Sequence, residues 1–209
     1  MIPRLPFAAP FAYSPRGPSE VAQRSRQLRD LIKAAEPRLL GRLAAVTAQL
    51  DTAGSFPGFF GPEVTLVPVP GSAPRRDGTA LWVAERIADE LRGAGLGCAV
   101  WTTLRRTAVV PKSAWAAPGE RPTVAVHVGS LEMTDRVPPT GQLVLVDDVV
   151  TKGRTMLAAA TVLADALPGV EIRAFAALRT MGLVPDIATY TDPVVGEILW
   201  TGGDADRRP

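Results

Sequence analysis

The chain has 209 residues, about one and a half times a typical 150-residue domain, so it reads as one α/β domain with decorated ends rather than two domains. With 46% hydrophobic and 21% charged residues it can bury a sizeable core, which excludes wholesale disorder, and its one cysteine, Cys98, excludes a disulfide framework or a cysteine-rich zinc module. Lys and Arg (23) nearly balance Asp and Glu (21), and the surplus of +2 is too small to indicate nucleic-acid binding. Only three of the basic residues are lysines, so the cationic chemistry is mostly guanidinium, suited to phosphate and carboxylate recognition. Prolines break the N-terminus before a signal-peptide stretch can form, and no later apolar run is long enough to span a membrane. The expectation is a cytoplasmic protein that makes no membrane contact.

Residues 1–18 carry five prolines and no periodicity, which predicts an extended arm or a disordered lead-in. From Ser19, a plausible N-cap, Val21, Leu28, Leu31, Ile32 and Ala35 mark one helical face. A second helix follows Pro37, carrying Leu39, Leu40, Leu43, Val46 and Leu50. Gly- and Pro-rich residues 51–63 form a linker. Thus residues 1–60 read as an arm plus helical extension, and 61–209 as an α/β domain ending in a C-terminal hood segment.

Within that domain Val64–Val69 predicts a strand, 81–91 a helix closed by Gly93 and Gly95, and Cys98–Thr102 a second strand with Cys98 in the core. Leu104–Arg121 lacks periodicity and reads as a long loop, functional or disordered. Residues 123–128 alternate as in a short strand, with a helix capped by Thr123 close behind, and the choice stays open. Leu143–Val146 is a continuous apolar run, the pattern of a strand buried on both faces; an amphipathic helix through Met156, Ala160, Leu163 and Leu167 and a strand over 170–177 follow. The alternation predicts an open, mostly parallel sheet flanked by helices.

The segment richest in chemistry is Leu143-Val-Leu-Val-Asp147-Asp148-Val-Val-Thr151-Lys152-Gly153-Arg154-Thr155. A buried strand delivers two carboxylates to the C-terminal edge of the sheet, and a short Gly- and Thr-containing loop then opens into a helix whose positive end suits an anion. Acids beside an anion cradle match a ligand with hydroxyl groups near a phosphate, such as a ribose 5-phosphate. An Asp-Asp pair alone would read as solvated acids at a strand end; the whole run carries the argument. It is neither a Walker A loop nor a Gly-x-Gly-x-x-Gly dinucleotide loop.

This run resembles the signature by which type I phosphoribosyltransferases bind phosphoribosyl pyrophosphate (PRPP), matched without a gap from Leu143 to Thr155. Weaker likeness at Val67-Pro-Val-Pro70, at the arginines that follow and near residue 105 points to the ComF-like subgroup over residues 64–180. The resemblance implies that Asp147 and Asp148 hold the ribose hydroxyls and that Thr151, Lys152, Gly153, Arg154 and Thr155 grip the 5-phosphate. It implies that Arg75 and Arg76 face the pyrophosphate, solvated arginines being the competing reading. It places Arg106 and Lys112, with Arg105, in a catalytic lid. It implies Mg²⁺ held mainly through PRPP and a nucleobase-like acceptor, and it is compatible with a homodimer. Two features depart from the subgroup: its cysteine-rich zinc region is not in these residues, and Arg75-Arg-Asp-Gly78 replaces its usual Arg-Gly-Phe-Asn-Gln. Thr151 stands where the 6-oxopurine enzymes carry an aspartate, which leaves the acceptor open.

The function implied is transfer of the 5-phosphoribosyl group to a nitrogen acceptor with release of pyrophosphate. A PRPP-binding sensor or ComF-like accessory protein linked to DNA uptake or repair is the alternative, and a helical interaction module at residues 19–50 a third. His127 is the sole histidine and cannot define a metal site or triad, so it reads as structural. Trp82, Trp101 and Trp115 read as packing residues, and Trp200 as part of a hood.

Overall fold

The apolar run at residues 143–146 has no exposed surface, because helices cover both faces of the sheet it belongs to. A computed structural model describes residues 1–75, 77, 80–111, 121–135, 137–138 and 141–209. In chain order the elements are β1 (Arg4–Tyr13), α1 (Glu20–Lys33), α2 (Pro37–Thr52), β2 (Val64–Pro68), α3 (Val83–Gly93), β3 (Ala99–Val100) and β4 (Leu104–Arg106). Then come α4 (Val124–Val128), β5 (Leu131–Met133), β6 (Gln142–Val150), α5 (Arg154–Ala166), β7 (Glu171–Thr180), β8 (Thr191–Trp200) and β9 (Ala205–Arg208). Among the described residues seven strands form one sheet in the order β3-β2-β6-β7-β1-β8-β9, and β4 and β5 pair separately. The first five of these are mutually parallel; β8 and β9 are antiparallel additions. The α/β architecture is therefore as the alternating pattern predicts. No helix among the described residues is long and apolar enough to cross a membrane.

Side chains alternate between the two layers. Leu143, Leu145, Ala174 and Ala176 face a core with α5, whereas Val144, Val146, Phe175 and Ala177 face one with α1, α2 and α3. The front helices begin as their caps dictate: Ser19 Oγ accepts from Ala22 N–H at 3.1 Å, and Pro37 opens α2 where its missing N–H costs nothing. Their apolar residues Ile32, Leu40, Leu43 and Ala44 are buried against the sheet. For residues 123–128 the helix wins, with Thr123 Oγ1 accepting from Val126 N–H at 3.4 Å.

Two expectations are corrected. The proline-rich start is no arm: β1 lies inside the sheet, parallel to β7 and antiparallel to β8. Pro10 sits at a register break, where Ala9 faces Val194 but Phe11 faces Thr191, so its missing N–H interrupts no ladder bond. Side chains of β1 also change layer across Pro10, while its register with β7 holds. Leu5, Phe7 and Ala9 enter the α5-side core, and Phe11 and Tyr13 enter the other. Cys98, expected in the core, is exposed, because it precedes an edge strand of only two residues; its Sγ lies 3.3 Å from the Val64 carbonyl.

Deleting residues 1–13, harmless for an arm, is expected to abolish the cooperative urea-unfolding transition followed by circular dichroism. Phe7→Ala alone should cost about 3–5 kcal/mol in the same measurement, since its ring is fully buried.

Candidate functional site

The helix after β2 packs on one face of the sheet and the helix after β6 on the other, although these strands are parallel neighbours. Such a switch opens a crevice at the carboxyl ends of the two strands. β6 also outruns β2. Pairing stops at Pro68 opposite Val146, with Val69 N–H donating to the Val146 carbonyl at 2.9 Å, while Asp147–Val150 continue alongside β7 alone. The acids therefore stand where one flank of the strand is unpaired and the other is held.

The turn beyond them is fixed at Gly153, whose φ of +83° is left-handed and whose Cβ, if present, would stand 2.5 Å from the Ile198 side chain of β8. With glycine as N-cap, α5 starts without a side-chain cap, so its first-turn N–H groups are available to an anion. The turn is braced from the C-terminal strands. Arg207 donates to the carbonyls of Thr151 and Thr180, each at 2.7 Å, and the two threonine hydroxyls lie 3.0 Å apart. Asp204 accepts from Arg154 through Nε and, at 2.5 Å, through Nη2, and it meets Lys152 Nζ at 3.2 Å. Arg154 foremost holds the Asp204 carboxyl far below the usual carboxylate range.

These elements enclose an open cleft of about 150 Å³ lined by Asp147, Val149–Met156, Arg121 and His127. The structure thus brings Asp147, Thr151, Lys152, Gly153, Arg154 and Thr155 together. Burial, then the neighbouring Asp148, holds the Asp147 carboxyl well above the usual range; its Oδ1 accepts Asp148 N–H at 2.8 Å. Asp148 is engaged differently, its Oδ2 lying 2.6 Å from Lys33 Nζ in the last turn of α1.

The remaining expected site residues fall elsewhere. Arg75 lines a second pocket of about 420 Å³, where its guanidinium stacks 5.1 Å from the Trp82 ring and donates to the Ala80 carbonyl at 3.1 Å. Arg106 is corrected from a lid residue to a buried anchor: it is 2% exposed and donates to Gly71 O at 2.9 Å and Ser130 Oγ at 2.6 Å. A guanidinium so enclosed ties the segment after β2 to the end of α4 and cannot swing over a ligand. Arg105, by contrast, is exposed and paired with Glu132. Arg76, Lys112 and Trp115 lie outside the described residues. Trp82 and Trp101 are buried, as packing residues should be, and Trp200 packs against the α5-side core.

Sequence reasoning missed Arg121, Lys33, Asp204 and Arg207 as neighbours of the site, and it read His127 as merely structural. The imidazole is 7% exposed and lines the cleft, and its Nδ1 has no hydrogen-bond partner. Burial, then the cations of Arg106 and Arg154, pulls its pKa down to about 4. No local pattern signals these residues, since each reaches the loop from a separate element.

The fold and cleft define an open α/β-sheet protein with a crevice where such sheets bind ligands. No protein-family model matches the chain, and no curated protein matches it.

Arg106→Ala should lower stability by about 2–4 kcal/mol in urea titrations, because four backbone and hydroxyl acceptors lose their buried donor; a lid arginine would leave stability unchanged. His127 binds a proton more readily unfolded than folded, so stability should fall as pH drops from about 6.5 to about 4. His127→Gln should flatten that part of the melting-temperature profile.

Proposed function

We propose that the protein binds PRPP in this cleft and transfers its 5-phosphoribosyl group to a nitrogen acceptor, a nucleobase or similar heterocycle, with release of pyrophosphate. The observation that carries this is one cleft shared by Asp147 and the uncapped start of α5. Main-chain N–H groups at the helix start, with Thr151, Lys152 and Thr155, take the 5-phosphate. The Asp147 carboxyl, a few residues upstream and lining the same cleft, meets a ribose hydroxyl in this reading.

Departure of pyrophosphate leaves cationic character at C1 of the sugar and negative charge on the leaving group. Arg75, in the pocket beyond Pro70, is the described cation nearest that role in the chain order of the resemblance. The donor set fits a hard cation carried mainly by substrate oxygens: two adjacent carboxylates stand at the strand edge, and no cluster of three metal-ligating side chains occurs among the described residues. When bound with substrate, Mg²⁺ would neutralise charge on the departing pyrophosphate, with Asp147 and Asp148 as its protein-side oxygens.

The Lys33–Asp148 ion pair favours a second reading, binding without turnover, because one of the two acids already has a cationic partner within the fold. The two readings separate when the protein is incubated with PRPP, Mg²⁺ and a panel of nucleobases. Base-dependent pyrophosphate release supports the transferase, and calorimetric PRPP binding without release supports the sensor. Asp147→Asn with Asp148→Asn should abolish PRPP binding in either case while leaving the circular dichroism spectrum intact, and unchanged affinity would refute the site.

A further inference from the structure

The residue of the cleft for which the fold gives no internal use is His127. Its main chain is fully committed: N–H donates to the Thr123 carbonyl at 3.2 Å, and its carbonyl accepts from Ser130 Oγ at 2.8 Å and from Arg106. These bonds fix the backbone that carries the ring. The ring itself has no protein partner, although it is 93% buried, and it forms part of the cleft wall facing the turn before α5. Nδ1 is sealed from the cleft, so a ligand lying against this wall meets the ring through Nε2, for which the described residues offer no partner.

The buried, partnerless Nδ1 decides the tautomer. An N–H enclosed without an acceptor is rarer and costlier than an acceptor lone pair left empty, so the proton belongs on Nε2. The charged groups around the ring are Arg106 from β4, Arg154 and Lys152 at the start of α5, Arg121 before α4, and Asp147 from β6. Cations outnumber the single acid, and a second positive charge on the imidazole is disfavoured at neutral pH.

We infer that His127 is a further ligand-binding residue of the cleft: a neutral imidazole donating Nε2–H to an oxygen of a phosphate monoester held at the start of α5. The inference rests on the sugar-phosphate reading of the cleft. A tetrahedral phosphate has oxygens enough to meet helix N–H groups on one side and the α4 imidazole on the other. The geometry needs no proton exchange on binding.

The probe is ribose 5-phosphate, titrated calorimetrically into the wild-type protein, His127→Ala and His127→Gln. Binding should weaken about ten-fold or more in His127→Ala, the scale of one hydrogen bond to a charged group, and recover to within a few-fold in His127→Gln, which keeps a neutral donor. Because His127 is the sole histidine, its ring ¹⁵N signals can be followed in the wild-type protein without any substitution. They should report the Nε2–H tautomer before and after ligand, with the Nε2–H proton shifting downfield on binding. Wild-type affinity in a folded His127→Ala, an Nδ1–H tautomer, or a ring that becomes imidazolium on binding would each overturn the inference and leave the sugar-phosphate reading standing. Failure of the wild-type protein to bind ribose 5-phosphate would overturn both.

Discussion

Gly153 has to be glycine on two counts, a left-handed backbone and the absence of space beside Ile198, and the cleft is laid out from that contact. The left-handed turn lets β6 pass into α5 within three residues, so the first helical amides begin close to Asp147. Ile198 belongs to β8, and the turn therefore takes its shape from the antiparallel end of the sheet. Arg207 and Asp204, from β9 and the bend before it, complete the support: Arg207 holds the Thr151 carbonyl, and Asp204 pairs with Lys152 and Arg154. The Thr151 carbonyl is thus turned toward guanidinium while the first amides of α5 stay uncapped, a polarity suited to anions.

That support depends on β1. By standing between β7 and β8, the first strand of the chain joins the parallel layers to the C-terminal strands and sets the distance from which β8 and β9 reach the turn. Phe7 serves both jobs, filling the α5-side core and presenting its ring 5.6 Å from the Arg207 guanidinium. Lys33 makes a comparable link on the opposite face, where α1 meets Asp148. Both ends of the sequence thus converge on a loop drawn from its third quarter.

What the sequence shows plainly is what short-range rules govern. The run from Leu143 announces a strand buried on two faces, Ser19 and Pro37 announce helix starts, and the acids followed by Thr-x-Gly-x-Thr announce the strand-turn-helix that lines the cleft. What it hides is decided by partners distant in the chain. Prolines in β1 suggest an arm until the register break shows where their missing N–H groups are tolerated. Arg106 reads as a lid residue until the carbonyls after β2 close around it. Asp204 and Arg207 lie in a short C-terminal stretch with no motif, and their positions relative to the turn follow from sheet order alone.

The change of layer at Pro10 carries an implication for how this chain can vary. Because the side chains of β1 change layer across Pro10, the halves of the strand on either side of it are out of phase. Conservative swaps of size within either half preserve that phase, whereas losing or gaining a single position near Pro10 would send Leu5 and Phe7 to the wrong side. Length, more than residue identity, is the quantity this part of the polypeptide must keep.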